Sequence, residues 1–405
     1  MASIKDSVHD HITVEGVAEE LLDTPAVQRL RRIKQLGTVE LVYPSANHTR
    51  FEHSLGVYHL AARALDNLGI EGQQAERIRA AALLHDVGHS PFSHNVEDLV
   101  ARHTGKMHDE VHDLLDGGEV ARVLSLHDLS PKRIADLVAG KGEFGQLVSG
   151  ELDVDRMDYL VRDAHHTGVP YGTIDTGRLV RELRFVDGDL ALAEGNVQTA
   201  ESLLLARALM NPVVYNHHVA RISKAMLRRG TERLLDEGTV TPNELRRMDD
   251  FDLMVALRRC RASASFARRL DTRNLYKRAV WAEIRDVPDE LVDAAHEDVR
   301  VFERKIASRA GVEDDDVVLD IQARPSMRES TSRVVVNGEI RRLATQSTLV
   351  NALRRAQREQ WRFGVYAPAE KTDAIGRAAE DVLGLDLDAL VVDVRKGIHA
   401  TLDEF

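Results

Sequence analysis

A single cysteine, Cys260, stands in 405 residues. It excludes an intramolecular disulfide and fits a reducing, cytoplasmic setting. No apolar run is long enough to span a bilayer, and the N-terminus carries no signal-peptide pattern, so no membrane partner is expected. Internal repeats and low-complexity tracts are absent. A basic excess is lacking too: 54 Lys and Arg stand against 66 Asp and Glu, a formal net charge of −12. That balance disfavours nucleic acid as a partner. It leaves room for an anionic substrate, because a local group of arginines and a metal overrides the global sign.

What is present is an ordinary core and much helical pattern. Hydrophobic residues make up 43% of the chain, enough for one large domain and a smaller one at this length. Val8–Ile12 reads as a brief strand or turn. Asp23-Thr24-Pro25 starts a helix whose apolar residues Val27, Leu30, Ile33 and Leu36 recur at helical spacing, and Gly37 ends it. His53 opens a second helix, residues 71–87 form a third, and 107–125, 130–139 and 155–164 are helical. Residues 183–186 and 190–193 form a β-hairpin around Asp187-Gly188-Asp189. Helices follow over 196–211, 219–236 and three shorter stretches to 270. A mainly α domain over 1–287 is therefore expected. Residues 288–405 read as a smaller α+β region: helix over 288–310, strands near 317–321 and 333–336 with a turn at Asn337-Gly338, helix over 346–360, strand near 363–366, then helices over 370–383 and 386–402.

The chemistry concentrates in three segments: Arg50-Phe51-Glu52-His53-Ser54, then His85-Asp86-Val87-Gly88-His89 through His94, then Asp153-Val154-Asp155-Arg156. His-Asp alone is a weak signal. Here a run of buried helix leads into it, Gly88 permits close backbone approach, and His53, His89 and His94 lie within reach. Imidazole plus carboxylate is a mixed N/O set suited to Fe, Mn, Co, Ni or Zn, and less to Mg. Two of each leave positions open for substrate.

The order His53, His85-Asp86, Asp155 resembles the HD superfamily of metal-dependent phosphohydrolases. The surrounding stretches resemble one branch of it, the deoxynucleoside triphosphate triphosphohydrolases. They run collinearly from Asp23-Thr24-Pro25 and Gln28-Arg29-Leu30-Arg31 through Arg50–Val57 and Asp153–Tyr159 to Thr272-Arg273-Asn274.

The resemblance implies a nucleotide substrate and one divalent metal ion held by His53, His85, Asp86 and Asp155. It implies catalytic roles for His89, His94 and His108 on the phosphate side. Among them His94 is the first choice for general acid, with Asp109 orienting the His108 imidazole. It places Arg50, Arg156 and Arg273 on the phosphates, and Gln35, Tyr159 and Asp163 around the sugar. The aromatic that excludes a 2′-hydroxyl in animal members would align near Ala279-Val280-Trp281, across an apparent one-residue gap. Asp23, Gln28 and Arg31 match an activating-nucleotide site between subunits, and assembly into a homodimer or homotetramer is expected. The leading expectation is hydrolysis of a deoxynucleoside triphosphate to deoxynucleoside and inorganic triphosphate. The alternatives are another nucleotide phosphoester (a monophosphate, a cyclic nucleotide or a single-stranded end) and a nucleotide-binding regulatory protein with a weak site.

Overall fold

The protein is described here by a computed structural model covering residues 2–324 and 332–385. The helix expected over 386–402 lies outside the described residues. The fold is mainly α, with small sheets and an α+β C-terminal part. No helix among the described residues is long and apolar enough to cross a membrane.

Three helices carry the motif residues. The Arg50–Leu68 helix opens on Thr49, whose N–H and hydroxyl both donate to Glu52, at 2.5 and 2.8 Å. It therefore begins at Arg50, one turn earlier than His53. Phe51, His53, Leu55, Val57, Tyr58, Leu60 and Ala61 are all buried, so the helix is enclosed on nearly every side. The Gly72–Leu84 helix packs against it with a fully buried Ala80-Ala81-Ala82-Leu83-Leu84 run and delivers His85 at its end. The Val154–Thr167 helix starts where Asp153 accepts the Arg156 N–H at 2.8 Å.

Two glycines let these pieces approach. A Cβ at Gly88 would lie 2.0 Å from the His108 carbonyl oxygen, and one at Gly56 would lie 1.9 Å from Asp158 Oδ1. No larger residue fits either position without displacing its neighbour.

Among the described residues, nine strands form three sheets. β1 (Ala2–Asp6) and β2 (Asp10–Val14) make an antiparallel hairpin. β3 (Leu183–Val186) and β4 (Asp189–Leu192) make the expected second hairpin, and β4 runs parallel to β7 (Arg333–Val336), which pairs with β8 (Glu339–Arg342). β5 (Lys277–Glu283) and β6 (Val318–Asp320) flank β9 (Arg362–Ala367), both antiparallel to it. Both larger sheets pair strands across residue 287. Arg221 fastens the two parts further, donating to Asp320 Oδ2 at 2.7 Å and to the Arg362 carbonyl at 2.9 Å.

Several boundaries differ from expectation for identifiable reasons. The helix begun at Pro25 runs only to Arg29 and tightens to a 3-10 turn over Leu30–Arg32. Beyond it the backbone has tertiary partners: Arg50 N–H donates to the Ile33 carbonyl, and Lys34 N–H to Asp250. The 107–125 stretch splits into His112–Leu115 and Gly118–Leu126, with Gly118 at φ 62°. The 288–310 stretch splits into Asp289–Val292 and His296–Ala310. β1, β5 and the Glu97–Thr104 helix are not anticipated from the sequence; the first and last are short, of five and eight residues.

Candidate metal centre and active site

The end of one helix and the first turns of two others bring four donors together. His53 Nε2 lies 2.9 Å from Asp155 Oδ1 and 3.3 Å from His85 Nε2. His85 Nε2 lies 3.3 Å from Asp86 Oδ1 and 3.9 Å from Asp155 Oδ1, and His53 Nε2 is 3.8 Å from Asp86 Oδ2. Ligand atoms about 2.1 Å from a common ion stand about 3 Å apart when adjacent, so this spacing fits a divalent cation. His53, His85 and Asp86 are buried, whereas the Asp155 side chain is 34% exposed and marks the open side.

The far nitrogens of both imidazoles are already engaged. His85 Nδ1 meets the Ala82 carbonyl and His53 Nδ1 meets Asp158 Oδ2, each at 2.8 Å. That fixes both rings with Nε2 turned to the centre, the arrangement of a histidine metal ligand. Burial alone would lower the His53 pKa, but hydrogen bonds to Asp155 and Asp158 outweigh it and push it up to about 10.

The three phosphate-side histidines do gather. The His89 ring stacks on His108 at 4.3 Å, and His94 stands edge-on to both at 4.7 and 5.1 Å. His89 Nε2 lies 3.2 Å from Asp86 Oδ1, joining this group to the metal donors. The carboxylate that orients His108 is Glu97, not Asp109: Glu97 takes Nδ1 of His108 on one oxygen and Nδ1 of His94 on the other. Nothing near His108 in the sequence signals this, since Glu97 belongs to the unexpected helix. Burial lowers the His89 pKa, with the Arg50 charge adding to it; the His94 side chain is 53% exposed and is screened by solvent. For His108 the Glu97 hydrogen bond outweighs burial and raises the pKa.

The loop that presents this group is held under strain. Phe92 and Ser93 sit at φ 56° and 57°, unusual for non-glycine residues. Phe92 N–H donates to Asp250 at 2.5 Å, and Ser93 Oγ donates to the Lys34 carbonyl at 2.6 Å. Arg29 braces the preceding turn, donating to the carbonyls of Val87 and His89 at 2.9 and 2.8 Å.

The expected substrate residues divide. Arg50 is buried, with Nη1 at 3.0 and 2.9 Å from the two Asp86 oxygens and Nε on Ser93 Oγ at 2.8 Å. Arg156 lies one residue past Asp155 and donates to the Gly150 carbonyl. Tyr159 stands edge-on to His53 at 6.5 Å, and Gln35 is buried with Oε1 lacking a hydrogen-bond partner. Asp163 meets His48 Nε2 on one oxygen and accepts from the Tyr215 hydroxyl on the other, both at 2.8 Å.

Arg273 and the 279–281 segment do not join this group. Arg273, at φ 53°, donates to the Leu41 carbonyl, and no hydrogen bond links it to the metal donors among the described residues. Ala279-Val280-Trp281 lies in β5, where the register shifts between Arg278 and Val280. Tyr215 instead stands near Tyr159, 6.2 Å from it, at the end of a π turn over Asn211–Tyr215. Arg207 supplies the charge: its field lowers the pKa of both Tyr159 and Tyr215 against the larger upward push of burial. The sequence signal was Pro212, which interrupts the long helix between Arg207 and Tyr215.

A cleft of about 980 Å³ is lined by Gln35, His94, Tyr215, Lys224, Trp281 and Trp361 among others; none of the four donors lines it. That is ample for a nucleotide. Asp23 and Arg31 are exposed, Arg31 donates to Gln28 Oε1 at 2.9 Å, and its guanidinium lies 3.5 Å over the Phe51 ring.

Comparison with known proteins agrees with this geometry. Residues 50–163 match the HD domain and residues 174–393 the HD-associated region. A protein of Methanocaldococcus jannaschii is 34% identical over 380 residues, covering 92% of this chain and 80% of that one. The deoxynucleoside triphosphate triphosphohydrolase SAMHD1 homologue of Dictyostelium discoideum is 31% identical over 247 residues. That match covers 55% of this chain and 48% of that protein, so about half of each lies outside it. The crystal structure of a phosphohydrolase from Bacteroides thetaiotaomicron superposes with a TM-score of 0.72 at 25% identity, over 91% of this chain and 100% of that one. The two matched regions take in the four metal donors and the helices around them, and the chain belongs to the HD-domain phosphohydrolase family, in its SAMHD1-like branch.

Proposed function

We propose that the chain hydrolyses deoxynucleoside triphosphates to the deoxynucleoside and inorganic triphosphate. The observation that carries this reading is the Tyr159–Tyr215–Asp163 group standing beside the metal donors. Two phenols set edge-on, one of them tied to a buried carboxylate, would crowd a 2′-hydroxyl on the sugar. Arg50, Arg156 and Arg207 then meet the phosphates as permanently charged donors, with Arg207 in the role the sequence suggested for Arg273. Bound among His53, His85, Asp86 and Asp155, a divalent metal supplies Lewis acidity and a nucleophile at neutral pH.

The leaving 5′-oxygen needs a proton. His94 and His108 share Glu97, and His108 is the member whose pKa is raised, so we assign the donor role to His108 in place of His94. Gln35, its Oε1 without a partner, meets the nucleoside. The exposed Asp23–Gln28–Arg31 surface is proposed as an activating-nucleotide site between subunits of a homodimer or homotetramer. Light scattering with and without added nucleotide tests that part.

The substrate reading is tested by incubating the purified chain and Mn²⁺ with each dNTP, each NTP, nucleoside monophosphates and cyclic nucleotides. Turnover of at least one dNTP in preference to its ribose counterpart is expected. Turnover confined to monophosphates or cyclic nucleotides would contradict it.

A further inference from the structure

Asp158 lies at the crossing of two connections behind the metal centre, and one of them leads to the N-terminal hairpin. Its Oδ2 takes His53 Nδ1 at 2.8 Å, and its Oδ1 meets His9 Nε2 at 2.6 Å. Arg162, one turn along the same helix, donates to both oxygens, from Nε at 2.8 Å and Nη2 at 3.0 Å. The other side of that guanidinium reaches Asp6, Nη1 to Oδ2 at 2.8 Å. Asp6 Oδ1 in turn accepts the backbone N–H groups of Val8 and His9 at 2.9 and 2.8 Å, which shapes the turn that presents His9. The ring closes: His9, Asp158, Arg162, Asp6 and back to His9.

The ring is dry. Side-chain exposure is 0% for Asp158 and Arg162, 4% for Asp6 and 6% for His9. Only a glycine at position 56 admits it, as a Cβ there would meet Asp158 Oδ1 at 1.9 Å and Arg162 Nη2 at 2.5 Å. A buried carboxylate with a single partner is free to rotate. One held at both oxygens by three groups is fixed, and so is the imidazole that leans on it.

We propose that His9 is a positioning residue of the metal centre, acting through Asp158 on His53, so that the turn between β1 and β2 is part of the centre's outer shell. The proposal rests on the metal reading of His53 and is independent of which phosphoester is cleaved.

The test compares two near-isosteric variants of the full chain, His9→Phe and His9→Gln, by titrating each with Mn²⁺ and following free Mn²⁺ by electron paramagnetic resonance. His9→Phe removes the donor and keeps the bulk, and a loss of about 10- to 100-fold in Mn²⁺ affinity is expected. His9→Gln restores an N–H donor to Asp158 and recovers most of it. Asp6→Asn, which loosens the turn, also weakens binding, while Lys5→Ala on the exposed side of the same hairpin leaves it unchanged. Circular dichroism of the metal-free proteins checks that the fold is kept. Wild-type Mn²⁺ affinity in both His9→Phe and Asp6→Asn would overturn the proposal, as would equal losses in His9→Phe and His9→Gln, which would assign His9 to packing alone.

Discussion

The Tyr215 hydroxyl donates to Asp163 at 2.8 Å, across 52 residues of sequence. With Tyr159 edge-on at 6.2 Å, that bond fixes the ring that faces the sugar position in our reading. Tyr215→Ala opens space there. The ratio of kcat/KM for a dNTP over its NTP should fall roughly 10-fold or more, within the range that steric rejection of one hydroxyl reaches. Steady-state kinetics with dATP and ATP measures it. Tyr215→Phe keeps the ring and should keep most of the preference. An unchanged ratio in the alanine variant would place the sugar elsewhere.

His53→Ala and Asp86→Ala each remove one donor from a set in which His53, His85 and Asp86 lie within 4.8 Å of one another and Asp155 lies 2.9 Å from His53. Each should purify with little or no bound metal and lose at least about 10³-fold in turnover, since the Lewis acid and the nucleophile go together. Elemental analysis of the purified variants decides the ligand assignment. A variant that keeps full metal contradicts it whatever its activity.

Glu97 holds His94 and His108 at once and raises the His108 pKa against burial. If His108 acts in its protonated form, activity is lost as pH rises through that pKa. Glu97→Gln removes the charge that keeps the proton on, so the alkaline limb of the kcat profile should move to lower pH. A profile displaced the other way would exclude His108 as the donor.

Asp250 clamps the strained Phe92–Ser93 turn through the N–H groups of Lys34 and Phe92. Burial outweighs those bonds and raises its pKa from 3.8 to about 7. Between those values the folded chain holds a proton that the unfolded chain has released, so this group's contribution to stability falls as pH rises across the window. Asp250→Asn removes the titration and leaves one N–H facing an amide. The decline of the urea midpoint from pH 5 to pH 8 should be shallower than in the parent. Parallel pH slopes would contradict this account.

Much of the centre was legible in the chain because its signals are local. His85-Asp86 ends a helix of small buried residues, and Asp155, Tyr159 and Asp163 recur at helical spacing. The parts that were not legible join distant segments. His9 and Asp158 are 149 residues apart, and neither carries a pattern that points to the other. Glu97 lies in a helix of only eight residues, eleven positions before His108, so the adjacent Asp109 looked the better partner for His108. Arg207 and Tyr215 flank Pro212 and a π turn, where helical spacing fails. Arg273 matched a motif, but its backbone turns left-handed and aims the side chain at Leu41.

The central claim is hydrolysis at the α-phosphorus of a deoxynucleoside triphosphate, and the most direct measurement is phosphorus NMR of the products formed in ¹⁸O-labelled water with Mn²⁺. Inorganic triphosphate carrying the label on a terminal phosphorus, with unlabelled deoxynucleoside, is the predicted result. Deoxynucleoside monophosphate plus pyrophosphate, or label in the 5′-hydroxyl, would contradict it.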